Sequence, residues 1–216
     1  MLTKGGMNMR EGRIMRLPPK ERILDAAEDL FFNLGIRRVT VEDVATKAET
    51  TKAAVYRHFG SKENLIAEWI RIVTAQYAAI LDNLEKTYPG DPRAQLYGWA
   101  KHIADTLATT SHRGCPFINS IAELPDPNDP VRLLIEAHKK RQAQRVAMLC
   151  EGAGIPDPEA AAVEISFMLE GAQISTQNNS IPNAGKHVMR IISEILDRAE
   201  RGKKKGPLKV LAKQAG

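Results

Sequence analysis

Two helical patterns separated by three residues constrain this chain more than any other feature. Val41, Val44, Ala45 and Ala48 recur along one side of a helix that starts at Thr40, and Val55 and Phe59 lie one turn apart on the next. Between the two stand only Glu49, Thr50 and Thr51. So short a link forces a sharp angle, the arrangement of a helix-turn-helix. The ends are punctuated: Thr40 with Asp43 has capping-box spacing, Thr51 is a good N-cap, and Gly60 closes the helix that Thr51 opens. Upstream, Pro18-Pro19 suits a first helical turn, and Ile23, Ala27, Leu30, Phe31 and Leu34 recur at three- and four-residue steps until Gly35. Downstream, Ser61 caps a fourth, long helix running from Lys62 to about Lys86.

The remainder stays helical. Breaks fall at "YPGDP" (88–92), around "SHRGCP" (111–116), at "LPDPNDP" (124–130), at "GAGIPDP" (152–158) and near "NSIPNAG" (179–185), and no segment alternates as a strand would. The expected fold is all-α, about nine helices. Its 216 residues, 43% of them hydrophobic, are enough to bury a sizeable core. No apolar run approaches the ~18 residues of a membrane span. The basic N-terminus lacks the apolar stretch of a secretory signal, and two cysteines imply no disulfide framework, so the expected compartment is the cytoplasm.

The net charge of +5 is unevenly spread. Residues 1–22 carry six Lys/Arg against two Glu, and residues 198–216 carry seven against one, leaving an acidic body between two basic ends. Basic ends of this kind suit contact with a polyanion. Arg10, Arg13 and Arg16 precede the first helix, where they could enter a DNA minor groove.

The third helix carries the chemistry. A helix fits the major groove of B-DNA, where phosphates are held by Lys, Arg, Tyr, Ser/Thr, His and helix N-termini. Lys52 and Arg57 can reach phosphates or base edges, and Arg reads guanine with a bidentate fork. Ala53 and Ala54 are small enough for close approach, with a methyl for thymine. Tyr56 and His58 can donate to phosphate oxygens, and Lys62 stands beside the N-terminus of the fourth helix.

The block "ILDAAEDLFFNLGIRRVTVEDVATKAETTKAAVYRHFGSKENLI" resembles the DNA-binding domain of TetR-family transcriptional regulators. Ala26-Ala27, Leu30-Phe31, Gly35, Thr40, Val44-Ala45, Ala48, Thr51-Lys52, Val55-Tyr56, His58-Phe59 and Lys62 carry the likeness. The resemblance implies groove and phosphate contacts from Lys52, Ala53, Ala54, Tyr56, Arg57 and His58, with Thr40 and Lys62 clamping the backbone on either side and Thr51 at the helix start. Ala54 departs from the pattern, since a Thr or other polar residue is common there.

The resemblance also implies a C-terminal helical domain that dimerises and encloses a ligand cavity. The chain then divides into a basic flexible arm (1–17), a helix-turn-helix domain (18–65), a ligand-binding and dimerisation domain (66–200) and a basic flexible tail (201–216). Apolar stripes on the last two helices, Ile165, Met168, Leu169 and Ala172 with Val188, Ile191, Ile192, Ile195 and Leu196, are the expected four-helix dimer interface. Trp99, His102, Ile103, Phe117, Asn119, Met148, Met168 and Gln173 are the expected pocket residues. The expected protein is a ligand-responsive homodimer that represses from a palindromic double-stranded DNA operator and is released by a small molecule. The alternative is an architectural or co-regulatory DNA-binding protein whose C-terminal domain docks another protein and senses nothing. No cofactor is implied, the five histidines and two cysteines lack zinc-like spacing, and no local signature supports a thiol nucleophile or another enzyme.

Overall fold

Each break in the apolar periodicity becomes the end of a helix. The structure, a computed structural model, describes residues 17–109 and 113–199. Its helices are α1 (Pro19–Leu34), α2 (Val41–Lys47), α3 (Lys52–Phe59), α4 (Lys62–Thr87), α5 (Pro92–Thr109), α6 (Pro116–Ala122), α7 (Pro130–Gly152), α8 (Pro158–Gln177) and α9 (Ala184–Leu196). Among the described residues there is no strand. Five of the nine open on proline, whose fixed φ and missing N–H suit the first turn. Gly35 ends α1 at φ 89° and Gly60 ends α3 at φ 77°, in the left-handed region that side chains resist. The expected arm and tail, with Arg10, Arg13 and Arg16, lie outside the described residues.

The chain forms two compact units. Among the described residues, one runs to Tyr77 and takes in Cys115–Lys139; the other comprises residues 78–109, 113–114 and 140–199. The expected boundary at residue 65 falls inside the first of these units. The core that holds the first three helices together, with Ile23, Ala27, Phe31, Val44, Val55 and Leu65, continues through Trp69 and Ile70 of α4. It then takes in Cys115, Phe117, Val131 and Ile135 of the later segment. A three-helix module this small buries little apolar surface alone, and α6 with the start of α7 enlarges its core.

In the second unit α9 packs against α5 and α8. The approach of α9 to α5 is close enough that a Cβ at Gly185 would lie 2.8 Å from the Ala104 carbonyl oxygen. The apolar stripe of α9 is spent here. Val188, Ile192, Ile195 and Leu196, with Ile165 and Leu169 of α8, are all at most 4% exposed within a single chain. These six expected dimer residues are therefore core residues. Periodicity marks a face as buried without saying what covers it, and α5 of the same chain does so. Met168, Ala172 and Ile191 are half-buried at the edge of a different face. That face carries Val163, Phe167 and Ile174, of which Phe167 is 72% exposed.

Candidate nucleic-acid interface

The turn between α2 and α3 is built by backbone hydrogen bonds and one left-handed residue. The Thr50 N–H donates to the Ala45 carbonyl at 2.9 Å, and Glu49 takes φ 49° to reverse the chain. Thr51 then caps α3, its hydroxyl oxygen accepting the Ala54 N–H at 3.2 Å. Val55 and Phe59 are buried, so α3 is seated by one face. The opposite face presents Lys52, Ala53, Tyr56, Arg57 and His58, all exposed. At ~1.5 Å per residue this eight-residue helix is about 12 Å long, the width of a B-DNA major groove.

Ala54 does not join that face. It is 7% exposed and lies in the core beside Val55, so its methyl cannot meet a thymine. The helical wheel explains this: a face narrow enough to carry Ala53, Tyr56 and Arg57 turns the next residue inward.

Two polar groups flank α3. At the start of α2, Thr40 and Asp43 form a reciprocal capping box. The Thr40 N–H donates to Asp43 Oδ2 at 2.8 Å, and the Thr40 hydroxyl accepts the Asp43 N–H at 3.1 Å. That hydroxyl also donates to Asp43 Oδ2 at 2.7 Å, so using it to donate to a phosphate means giving up that bond. These hydrogen bonds hold the Asp43 carboxyl below its ordinary range, and the nearby Arg38 and Lys62 charges act in the same direction. At the start of α4, the Ser61 hydroxyl accepts the Asn64 N–H at 3.1 Å. Glu63 is held low by its own backbone N–H and by the Ser61 hydroxyl. Lys62 donates to the Arg37 carbonyl at 3.3 Å, leaving two of its ammonium protons for other acceptors.

The expected pocket residues are divided between the two units. Phe117 and Asn119 belong to the first unit, where the Phe117 ring lies 4.6 Å from His138 and 5.2 Å from Tyr77. Burial pushes the Tyr77 phenol well above its usual range, and Cys115 beside it adds to the shift. Trp99, His102, Ile103, Met148, Met168 and Gln173 belong to the second unit. There Trp99 and Ile103 are core, Met168 and Gln173 are half-buried, and His102 and Met148 face solvent, Met148 at 62% exposure. An open cleft of about 750 Å³ in that unit is lined by none of them; Asp105, Thr176, Asn179, Ile181, Lys186 and Met189 are among its walls. Sequence reasoning missed this cleft because its walls come from helix ends and a loop, which carry no periodicity. Among the described residues no three His, Cys, Asp or Glu are placed to hold a metal ion, and no helix is long and apolar enough to cross a membrane.

A buried-backed helix with a cationic, phenol-bearing outer face, joined to its predecessor by a tight turn, defines a helix-turn-helix DNA-binding module. Residues 23–69 match the family described as bacterial regulatory proteins, tetR family. The chain is 27% identical over 94 residues to the HTH-type transcriptional regulator AcrR of Shigella flexneri, covering 44% of each protein. To the uncharacterized HTH-type transcriptional regulator YvkB of Bacillus subtilis it is 32% identical over 90 residues, covering 42% of this chain and 43% of that protein. The chain thus spans less than half the length of these curated relatives. The fold likeness reaches further. The crystal structure of SCO4454, a TetR-family transcriptional regulator from Streptomyces coelicolor, superposes with a TM-score of 0.78 at 25% identity, covering 84% of this chain and 95% of that one. Residues 23–69 thus match the TetR-family DNA-binding domain, and the chain shares the fold of a TetR-family transcriptional regulator.

Proposed function

We propose that the protein is a dimeric, DNA-binding transcriptional repressor released from a palindromic operator by a small molecule. One observation carries the DNA-binding part. Val55 and Phe59 fix α3 from behind while Lys52, Tyr56, Arg57 and His58 stand exposed together, with Thr40, Thr51 and Lys62 around them. One such helix reads few bases, and two related by a two-fold axis read a palindrome. The apolar face of Val163, Phe167 and Ile174 supports a second copy as its cover. The cleft beside Asp105 and Lys186, and the buried Trp99 indole, whose N–H has no acceptor, support an effector in the second unit. Effector binding then acts by favouring a dimer geometry whose two α3 helices no longer match the operator spacing.

The test is binding of the purified chain to the intergenic DNA beside its own gene, at two salt concentrations. Tight, palindrome-dependent binding is expected. Lys52→Ala should weaken it and reduce the salt slope by about one phosphate contact. Binding that is weak, indifferent to sequence and erased by salt would refute the reading.

A further inference from the structure

Glu123 follows the last residue of α6, 86 positions from the helix-turn-helix residue it touches. Its Oε2 accepts the Arg37 N–H at 2.7 Å. The same carboxylate occupies the space beside Gly35, where an added Cβ would fall 2.4 Å from Oε1. Gly35 is thus required twice, for its φ of 89° and for the room its missing side chain leaves. On the other side, the Arg37 carbonyl accepts the Lys62 ammonium at 3.3 Å. The backbone of Arg37 is therefore gripped from α6 at its N–H and from α4 at its carbonyl. Ile118, Ile121 and Leu124 pack on the core of the same unit and seat the segment that carries the carboxylate.

Ile36 and Val39 anchor the gripped turn in the core, but its own hydrogen bonding is sparse. Besides the caps at its two ends, Val39 N–H reaches the Gly35 carbonyl at only 3.4 Å. It leads through exposed Arg37 and Arg38 directly into the Thr40 cap of α2. A hydrogen bond to a carboxylate is shorter and stronger than one to a neutral acceptor, and this one is short.

We propose that Glu123 is a positioning residue for DNA binding. Its carboxylate sets the Gly35–Arg38 turn, and through the Arg37 backbone it sets where Arg37, Arg38 and Lys62 meet phosphate. The proposal rests on the DNA-binding reading above and adds a handle to it: a displacement of α6 large enough to break one hydrogen bond loosens three cations of the DNA face.

The experiment uses the full chain and a labelled duplex recovered by the unaltered protein from a randomised library. Glu123→Ala should weaken binding about tenfold, as loss of a charged hydrogen bond does, while its melting temperature falls by only about 3–6 °C and the chain stays folded at the assay temperature. Glu123→Gln, whose amide oxygen can still accept the Arg37 N–H, should stay within about threefold. Amide exchange in residues 36–38 should quicken in Glu123→Ala and not in Glu123→Gln. In a Lys62→Ala background the further loss from Glu123→Ala should shrink below about threefold, because both side chains act on one turn. If Glu123→Ala does not fold, Glu123→Asp, which withdraws the carboxylate by one methylene, takes its place. Undiminished affinity, or losses that simply add in the double variant, would overturn the proposal while leaving the DNA-binding reading intact. A library that yields no bound duplex would overturn both.

Discussion

Asp43 and Thr40 bind each other through both backbone and side chain: Oδ2 of Asp43 takes the Thr40 N–H at 2.8 Å while the Thr40 hydroxyl takes the Asp43 N–H at 3.1 Å. The pair closes the N-terminus of α2, and with it the base on which α3 is angled. Thr40→Ala should cost about 1 kcal/mol of unfolding free energy, the usual loss for an N-cap, measured by urea denaturation at neutral pH.

The same pair makes a pH prediction. Donated hydrogen bonds depress the folded-state Asp43 carboxyl below its unfolded value. Its contribution is therefore fully present above the unfolded value of about 4 and is lost as pH falls through the folded one. Between pH 5 and pH 2.5 the unaltered chain should lose more stability than Asp43→Asn does. Equal losses would show that the carboxylate is no more stabilised in the folded chain than in the unfolded one.

Ala53 and Ala54 are adjacent in sequence and opposite in exposure. Ala53→Ser, on the exposed face, should leave the urea midpoint unchanged and shift the preferred sequence recovered from a randomised duplex library. Ala54→Leu, at a site 7% exposed, should cost about 1–3 kcal/mol through overpacking behind α3. A Leu variant of native stability with a new base preference would place residue 54 on the DNA face after all.

This contrast marks how far the sequence could be read. The helix-turn-helix was legible because its signals are local: Thr40, Thr51, Gly35 and Gly60 punctuate it, and Val55 with Phe59 marks the inner face of α3. The nine helix spans were legible for the same reason, since Pro and Gly stand at most breaks. What the sequence could not assign was which element covers an apolar stripe. The stripe Val188, Ile192, Ile195 reads the same whether α5 or a second subunit covers it, and only the fold distinguishes them. Glu123 left no signal at all, because nothing near residue 123 records a turn 86 positions away.

The corrected face gives a sharper test of assembly. Phe167 is 72% exposed, so Phe167→Glu removes little from the folded chain. It should convert a dimer to a monomer in sedimentation at micromolar protein and leave the monomer folded. Ile192→Ala, at a site with no exposure, should instead cost about 2–5 kcal/mol of stability. A Phe167→Glu protein that remains dimeric would place the interface elsewhere.

The two thiols report on the two cores. Cys115 sits in the first unit and Cys150 in the second, both buried and neither in a disulfide. Burial pushes the Cys150 thiol up to about 11, so at pH 8 only on the order of one molecule in a thousand carries the thiolate. Native protein with Cys115→Ser should therefore resist a thiol reagent at that pH and react only as urea unfolds it. Rapid labelling without denaturant would reveal an opening of the second unit short of unfolding.

Trp99 offers the most direct test of the proposed effector response. Its side chain is 3% exposed and its indole N–H meets no acceptor, a situation that ordinarily costs about 1–3 kcal/mol. Trp99→Phe removes the donor and keeps a large aromatic ring, so relief of that cost should offset much of the lost packing. The melting temperature should fall by less than a Trp truncation in a satisfied site would cause. Because Trp69 and Trp99 are the only tryptophans, a Trp69→Phe chain reports on Trp99 alone by fluorescence. A compound that releases the chain from DNA and accepts the indole N–H should shift that emission, and Trp99→Phe should abolish release without weakening DNA binding. Release with unchanged emission would direct the search to the cleft between Asp105 and Lys186, whose walls do not include Trp99.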